Sequence, residues 1–156
     1  MRKVIKTICI LLFLGINGGC SDTTIIHQIY SDVNGSGDSI IDFRNYTEFQ
    51  WDKAYLFTYI VKQKDVEVVI GRNLPKKEEA ISPLVFMYGD SIVYYEHNAI
   101  ETFPDDAKAR RKERIAIDNS TGRILSAGHG AIKFTPKDCV FKARKSDIEN
   151  LIVLSK

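Results

Sequence analysis

The segment WDKAYLFTYI, Trp51 to Ile60, decides the fold because its residues alternate along an extended chain. Successive side chains of a strand point to opposite faces of the sheet. The odd-numbered positions place four aromatic rings on one face, and the even-numbered positions place Ala, Leu and Ile side chains on the other. Apolar residues on both faces are typical of a buried strand. We therefore predict a strand at the centre of a sheet, with Trp51 anchoring the core beside Tyr55 and Phe57.

The segments that follow this strand predict a helix and two hairpins. Three apolar residues recur at helical spacing between Lys62 and Gly71, which predicts a helix there, although its valines also suit a strand. The apolar runs PLVFMY and SIVYYEH flank Gly89-Asp90 and predict a hairpin. ERIAI and RILSAG flank DNSTG, Asp118 to Gly122, and predict a second hairpin.

The end of the chain predicts two more strands and a helix. AIKF and DCVFKAR have the composition of strands, whereas SDIENLIVL has apolar residues at helical spacing after a possible cap at Ser146 or Asp147. The expected fold class is α+β, with an antiparallel sheet and one or two short helices after an N-terminal signal peptide and tether.

The composition is that of one ordinary globular domain. The chain has 156 residues, of which 44% are apolar and 27% are charged. Its formal charge of +2 includes Arg2, Lys3 and Lys6, and without them 19 basic side chains remain against 20 acidic ones. Because a nearly neutral domain lacks the positive field of a nucleic-acid binder, we expect no nucleic-acid partner.

The N-terminus has the three parts of a secretory signal peptide. MRKVIK is positively charged, TICILLFLGI is apolar but short for a membrane span, and NGGC is small and flexible. The alternative is an N-terminal core helix, which Gly15, Gly18 and Gly19 would break.

Gly18-Gly19-Cys20 after an apolar run resembles the lipobox of bacterial lipoproteins, which signal peptidase II cleaves before a lipidated cysteine. The resemblance implies a diacylglyceryl thioether on Cys20 and an acylated amino group. The family prefers Leu three residues before the cysteine, where this chain has Asn17. The implied division is a signal peptide at 1–19, a lipidated cysteine and tether at 20–38, and one globular α+β domain at 39–156.

The resemblance also implies a place in the cell. In these lipoproteins, Asp directly after the lipidated cysteine signals retention in the inner membrane, and this chain has Ser21 there. We therefore expect a lipid-anchored protein on the outer membrane, facing the periplasm, rather than on the inner membrane. The segment from Asp42 through Trp51-Asp52-Lys53 to Phe57 also resembles small uncharacterised cell-envelope lipoproteins of bacteria.

The cysteine count agrees with this assignment. Cys9 would leave with the signal peptide and Cys20 would carry lipid, so Cys139 would be the only remaining thiol. If Cys20 were not lipidated, a Cys20–Cys139 disulfide would be the alternative.

The segment after Cys20 is rich in Ser, Asp, Thr and Gly, which favours a tether. IIHQIY within it has the pattern of a short strand, which would leave Ser31 to Ser39 as the flexible part. DVNGSGD partly matches a calcium loop, with Asp, Asn, Ser and Gly at its first, third, fifth and sixth positions. The twelfth position, which should supply a bidentate Glu, is Phe43, so we favour a plain linker and expect no metal site.

The candidate catalytic residues lack partners in the sequence. Cys139 alternates with Phe141 and Ala143, which favours a core residue over a nucleophile. The histidines, at positions 27, 97 and 129, have no metal-ligand spacing, and His129 in a GHG loop is the candidate site residue among them. Asp52 beside Lys53 is interpreted as a pair on the strand surface. We therefore expect no enzyme activity and no cofactor.

The run AKARRKER, Ala107 to Arg114, is the candidate contact for an anionic membrane surface or partner, through Lys108, Arg110, Arg111, Lys112 and Arg114. The plainer interpretation of this run is a solvated connector.

The function we expect is binding to an envelope protein, or support of envelope integrity, by a membrane-anchored lipoprotein. The alternatives are an inhibitor or immunity-type module that sequesters a toxin or hydrolase, with its aromatic first strand partly exposed, and a small hydrolase that uses His129 or Cys139.

Overall fold

A computed structural model describes residues 24–58, 60–75, 80–97, 113–118, 126–128, 130–147 and 150–156. The helices are α1 (Ile25–Ser36) and α2 (Gln63–Ile70), and a 3-10 turn spans Phe43–Tyr46. The strands are β1 (Ser39–Asp42), β2 (Lys53–Phe57), β3 (Val61–Lys62), β4 (Ala80–Ile81), β5 (Pro83–Tyr88), β6 (Ser91–His97), β7 (Arg114–Ile117), β8 (Ser126–Gly128), β9 (Ala131–Phe134), β10 (Val140–Lys145) and β11 (Leu151–Ser155). No helix in these ranges is both long and apolar enough to cross a membrane.

The strands form two main sheets instead of one. The first sheet has the order β1-β10-β11-β7, and the second sheet has the order β6-β5-β2-β9-β8. All pairs in them are antiparallel except β11 with β7, which is parallel. The α+β class with mostly antiparallel strands is confirmed.

The central strand predicted from Trp51 to Ile60 is confirmed as β2, the middle strand of the second sheet. Ala54 and Leu56 face a core shared with the first sheet, whereas Tyr55 and Phe57 face a second core that α2 covers. Burial of both faces explains why this strand is apolar on both sides.

The core between the two sheets is rich in aromatic rings. Phe43, Phe86, Phe134 and Phe141 are at most 2% exposed, and their rings pack with centroids 4.8–6.2 Å apart. Trp51 joins this cluster at 8% exposure, so its predicted burial is confirmed. Its predicted position beside Tyr55 and Phe57 is wrong, because β2 begins only at Lys53 and the alternation does not extend back to the indole.

The predicted helix and first hairpin are confirmed. α2 buries Val66 and Ile70 and ends at Gly71, whose φ of 72° is the left-handed conformation that glycine adopts without strain. β5 and β6 pair across a turn that contains Gly89 at a φ of 57°.

The second predicted hairpin is wrong. β7 lies in the first sheet parallel to β11, whereas β8 pairs with β9 in the second sheet. Residues 119–122 of the predicted turn lie outside the described ranges, and the turn-like composition of the segment does not select the partner strand. Pairing with β11 places Ile115 and Ile117 in the shared core, and that burial favours the non-local partner.

The predicted C-terminal helix is also wrong, because the segment forms strand β11 between β10 and β7. Ile152 and Leu154 alternate with half-buried neighbours and are fully buried. The apolar residues of this short segment fit both the spacing of a helix and the alternation of a strand. Pairing with β10 on one side and β7 on the other favours the strand. The chain turns into it at Asn150, with a φ of 57°.

The predicted tether is wrong where the structure describes it, because α1 occupies residues 25–36. Ile25, Ile26, Ile29 and Val33 are at most 3% exposed and belong to the shared core. The IIHQIY strand and the linker interpretation of DVNGSGD both fail for the same reason, since these residues form α1 and its end at Gly37. The polar face of α1 carries the Ser, Asp and Asn residues that resembled a tether, while its apolar stripe makes it a core helix.

Candidate functional site

α1 lies across one end of the first sheet and contacts the start or end of every strand in it. Four side-chain hydrogen bonds mark this path. Along α1 they are His27 to Glu113 before β7, Tyr30 to Asn150 before β11, Asn34 to Lys145 of β10, and Ser36 to Ser39 of β1. Together with its four buried aliphatic residues, these contacts fix the helix to the domain.

The helix begins at Thr24, whose hydroxyl oxygen accepts a hydrogen bond from the backbone N–H of His27 at 3.2 Å. The first N–H groups of a helix have no partner within the helix. In this protein, two side chains of β6 accept hydrogen bonds from these N–H groups. The backbone N–H of Ile26 donates to Oε1 of Glu96 at 3.1 Å, and that of Ile25 donates to the Tyr94 hydroxyl at 3.3 Å.

We name this region the N-terminal corner and define it by Thr24, His27, Tyr94, Glu96 and Glu113. The first residues of α1, the last residues of β6 and the residue directly before β7 meet here. Nδ1 of His27 and Oε2 of Glu113 lie 2.6 Å apart on the surface, with the two side chains 51% and 26% exposed. A side-chain contact this exposed adds less than about 1 kcal/mol to stability. It joins the residue directly before β7 to the first turn of α1.

Glu96 is the buried charge of the corner, at 7% exposure. Burial raises the pKa of its carboxyl to about 7, and its hydrogen bonds, including those from Ile26 and Tyr94, only partly oppose that effect. The same burial, together with the Glu96 carboxylate, raises the pKa of Tyr94 to about 12. The carboxylate also lies at the positive end of the helix dipole, which favours a negative charge there.

Glu96 should make the domain less stable as the pH rises. Its folded pKa of about 7 exceeds the ordinary value of 4.5, so the folded state holds a proton that the unfolded state has released between these values. Up to about 3 kcal/mol of stability is then present below pH 4.5 and lost as the pH rises through 7. Glu96→Gln keeps an oxygen for the Ile26 N–H but cannot ionise. We expect urea unfolding of this variant between pH 5 and 8 to lack that loss.

The control for this experiment is Glu48→Gln, which removes an exposed carboxyl. It should retain the pH dependence of the wild type. If Glu96→Gln retained it as well, the titrating group would lie elsewhere.

Most residues predicted as a functional site lie outside the described ranges. This holds for Cys20, for Lys108, Arg110, Arg111 and Lys112, and for His129. Arg114 is the exception. It is partly exposed and is the first residue of β7, directly after Glu113 of the corner.

Cys139 is a core residue, as predicted. The side chain is fully buried, and its Sγ lies 3.4 Å from Oδ1 of Asp42 and 3.5 Å from the Pro136 carbonyl oxygen, the two acceptors within reach of its single proton. Burial raises the pKa of the thiol, with Asp42 adding to the effect. The Arg44 side chain, hydrogen-bonded to Asp42, lowers the pKa of that carboxyl to about 2. These surroundings keep the sulfur protonated, which is the opposite of an activated nucleophile.

The remaining candidates are dispersed. His97 is exposed at the end of β6 and His27 at the start of α1. Asp52 accepts a hydrogen bond from the backbone N–H of Gly89 at 2.7 Å and so fixes the β5–β6 turn. Within the described part of the chain, no group of three His, Cys, Asp or Glu side chains could hold a metal ion.

The partly exposed aromatic strand that the inhibitor alternative requires is not present, because the aromatic residues of β2 are buried. Tyr55 and Phe57 are at most 6% exposed. The exposed large apolar residues of the described chain lie instead on β1, α2, β5, β6 and β10, and they are Ile40, Val68, Tyr88, Val93 and Val140. Two shallow concavities lie elsewhere. One, of about 380 Å³, lies between α1 and the 3-10 turn, and one of about 300 Å³ lies on the outer face of the first sheet.

Sequence reasoning missed Glu96, Tyr94 and Thr24. Two signals were available. Thr24 is a good cap residue directly before the apolar stripe of α1. Glu96 is a charged residue in the otherwise apolar run SIVYYEH, and a charge in such a strand needs a partner when buried.

Comparison with known proteins found no family model, no curated protein and no solved structure that matches this chain.

Proposed function

We propose that this protein is a lipid-anchored lipoprotein of the bacterial cell envelope whose domain acts by binding at the membrane surface, without catalysis. The lipobox-like Gly18-Gly19-Cys20 supports the anchor. The observation that carries the proposal is that the core helix α1 begins after its cap residue Thr24, which is only four residues after Cys20.

The short chain between Cys20 and Thr24 limits the distance between the proposed lipid and α1. Four residues of fully extended chain span at most about 14 Å, so a lipid on Cys20 holds the first turn of α1 at the bilayer surface. Confinement of this kind raises the effective concentration of the domain toward other envelope components, and a modest affinity then suffices for binding.

The basic run is the proposed electrostatic contact. Lys108, Arg110, Arg111 and Lys112 precede Glu113 and Arg114 in the chain, and Glu113 contacts His27 near the start of α1. Each basic residue near an anionic lipid surface contributes about 1 kcal/mol of attraction. The proposed partners are therefore the membrane, through the lipid on Cys20, and an envelope protein.

Because Ser21 follows the cysteine, we propose the outer membrane, facing the periplasm, as the location.

Cys20→Ser should abolish the anchor. In cells fed a clickable fatty acid, the wild-type protein is expected to carry label and the variant none, since the serine cannot form the thioether. Density-gradient separation of the membranes is the second readout, and labelled wild type should sediment with the outer membrane.

The matched control is Cys139→Ser, which changes the other mature thiol inside the core and should leave labelling intact. Equal labelling of wild type and Cys20→Ser would refute the anchor. Labelled protein in the inner membrane would refute only the location.

A further inference from the structure

We infer that the N-terminal corner is the membrane-facing surface of the domain and that it rests on the phospholipid head groups. This inference depends on the proposed lipid on Cys20 and adds the orientation of the domain on the bilayer. It names one end of the fold as the membrane side and the opposite end as the side left free for a partner.

The first step is the rigidity of α1. A long tether would leave the domain free to tumble, but α1 begins four residues after Cys20, and the buried Glu96 carboxylate and the Tyr94 hydroxyl hold its first turn. The anchor therefore acts on a fixed point of the folded domain.

The second step is the direction of β6. Its last residues contact the start of α1, since Glu96 accepts from Ile26. The strand rises by about 3.3 Å per residue, so Ser91 at its other end lies about 20 Å from His97. The end of β6 at His97 is thus the end beside the anchor.

The third step is the chemistry of the corner. The exposed large apolar residues of the described chain include none in α1, in β7 or in β6 beyond Val93. The exposed polar side chains of the corner are Thr24 and His27, its Glu113 carboxylate contacts His27, and the partly exposed Arg114 follows directly in the chain. Hydrogen-bond donors of this kind suit contact with phosphate and ester oxygens. The corner accordingly lies on the head-group layer and does not insert among the acyl chains.

In this orientation, the turn between β5 and β6 is the end of the domain farthest from the membrane. It is well fixed, because the backbone N–H of Gly89 donates to Asp52 and the Arg72 guanidinium lies 2.9 Å from the Asp90 carboxylate. Tyr88 beside this turn is 53% exposed.

The test compares two labels on the same strand. Single cysteines replace His97 or Ser91 in the lipidated protein, each carries a thiol-reactive fluorophore, and the buried Cys139 stays unlabelled. The proteins are reconstituted in phosphatidylethanolamine–phosphatidylglycerol vesicles that contain lipid with a nitroxide on its head group. Since the two positions lie about 20 Å apart along β6, quenching at position 97 should be at least about twofold stronger than at position 91.

Two controls complete the test. Thermal unfolding verifies that each variant folds, and Ser31→Cys on the exposed face of α1 replaces His97→Cys if that variant does not fold. The same labels in Cys20→Ser protein should show no quenching at either position.

Each result has a separate meaning. Equal or stronger quenching at position 91 in lipidated protein would overturn the orientation and leave the anchor intact. Absence of lipid from the wild-type protein would overturn the proposed function and the orientation together.

Discussion

Replacing Trp51 with alanine is expected to lower the free energy of unfolding by about 3–5 kcal/mol. The indole is 8% exposed, and its ring lies edge-on to Phe86 and Phe134, with centroid distances of 5.0 and 6.0 Å. Its Nε1–H donates to the Thr47 hydroxyl at 3.0 Å, so truncation removes both ring packing and a hydrogen bond. Urea unfolding followed by circular dichroism measures the loss.

Tyr88→Ala is the matched control for this experiment. It removes an aromatic ring that is 53% exposed, and surface changes of this kind usually alter stability by no more than about 0.5 kcal/mol. Trp51→Ala with the same stability as the wild type would mean that the indole lies on the surface. The ring would then have to be reinterpreted as a binding residue.

The elements that the sequence predicted correctly are those with one consistent local pattern. β2 has apolar residues on both faces, α2 ends at a glycine in the left-handed conformation, and the β5–β6 hairpin has its turn at Gly89-Asp90. In each of these elements, propensity, periodicity and turn chemistry favour the same structure.

The sequence predicts the wrong structure where contacts between residues distant in the chain determine which element forms or which strands pair. Leu151 to Ser155 satisfy both a helix and a strand pattern, and only the strands β10 and β7 on either side select the strand. The sequence predicts that β7 pairs with the next strand along the chain, but its isoleucines are buried beside Ile152 and Leu154 of β11. No local pattern carries that information, because such pairings depend on the packing of the whole sheet.

The N-terminal corner could be predicted only in part. The lipobox-like motif predicts an anchor at Cys20, but the polar composition after it concealed the apolar stripe of α1. The role of Glu96 depends on an approach between residues 70 positions apart in the chain. This matters for the proposed function, because α1 begins four residues after Cys20 and a lipid there would hold the domain closer to the membrane than the expected tether of nineteen residues would.

The most direct test of this account is the stability of Ile29→Ala compared with Ser31→Ala. Ile29 is fully buried in α1, and Ser31 is exposed two residues further along the same helix. If α1 belongs to the core, Ile29→Ala should lower the free energy of unfolding by about 2–5 kcal/mol, because it leaves a cavity between the sheets. Ser31→Ala should change it by no more than about 0.5 kcal/mol. If both variants unfolded at the urea concentration of the wild type, residues 25–36 would be a tether, and the proposed position of the domain on the membrane would be wrong.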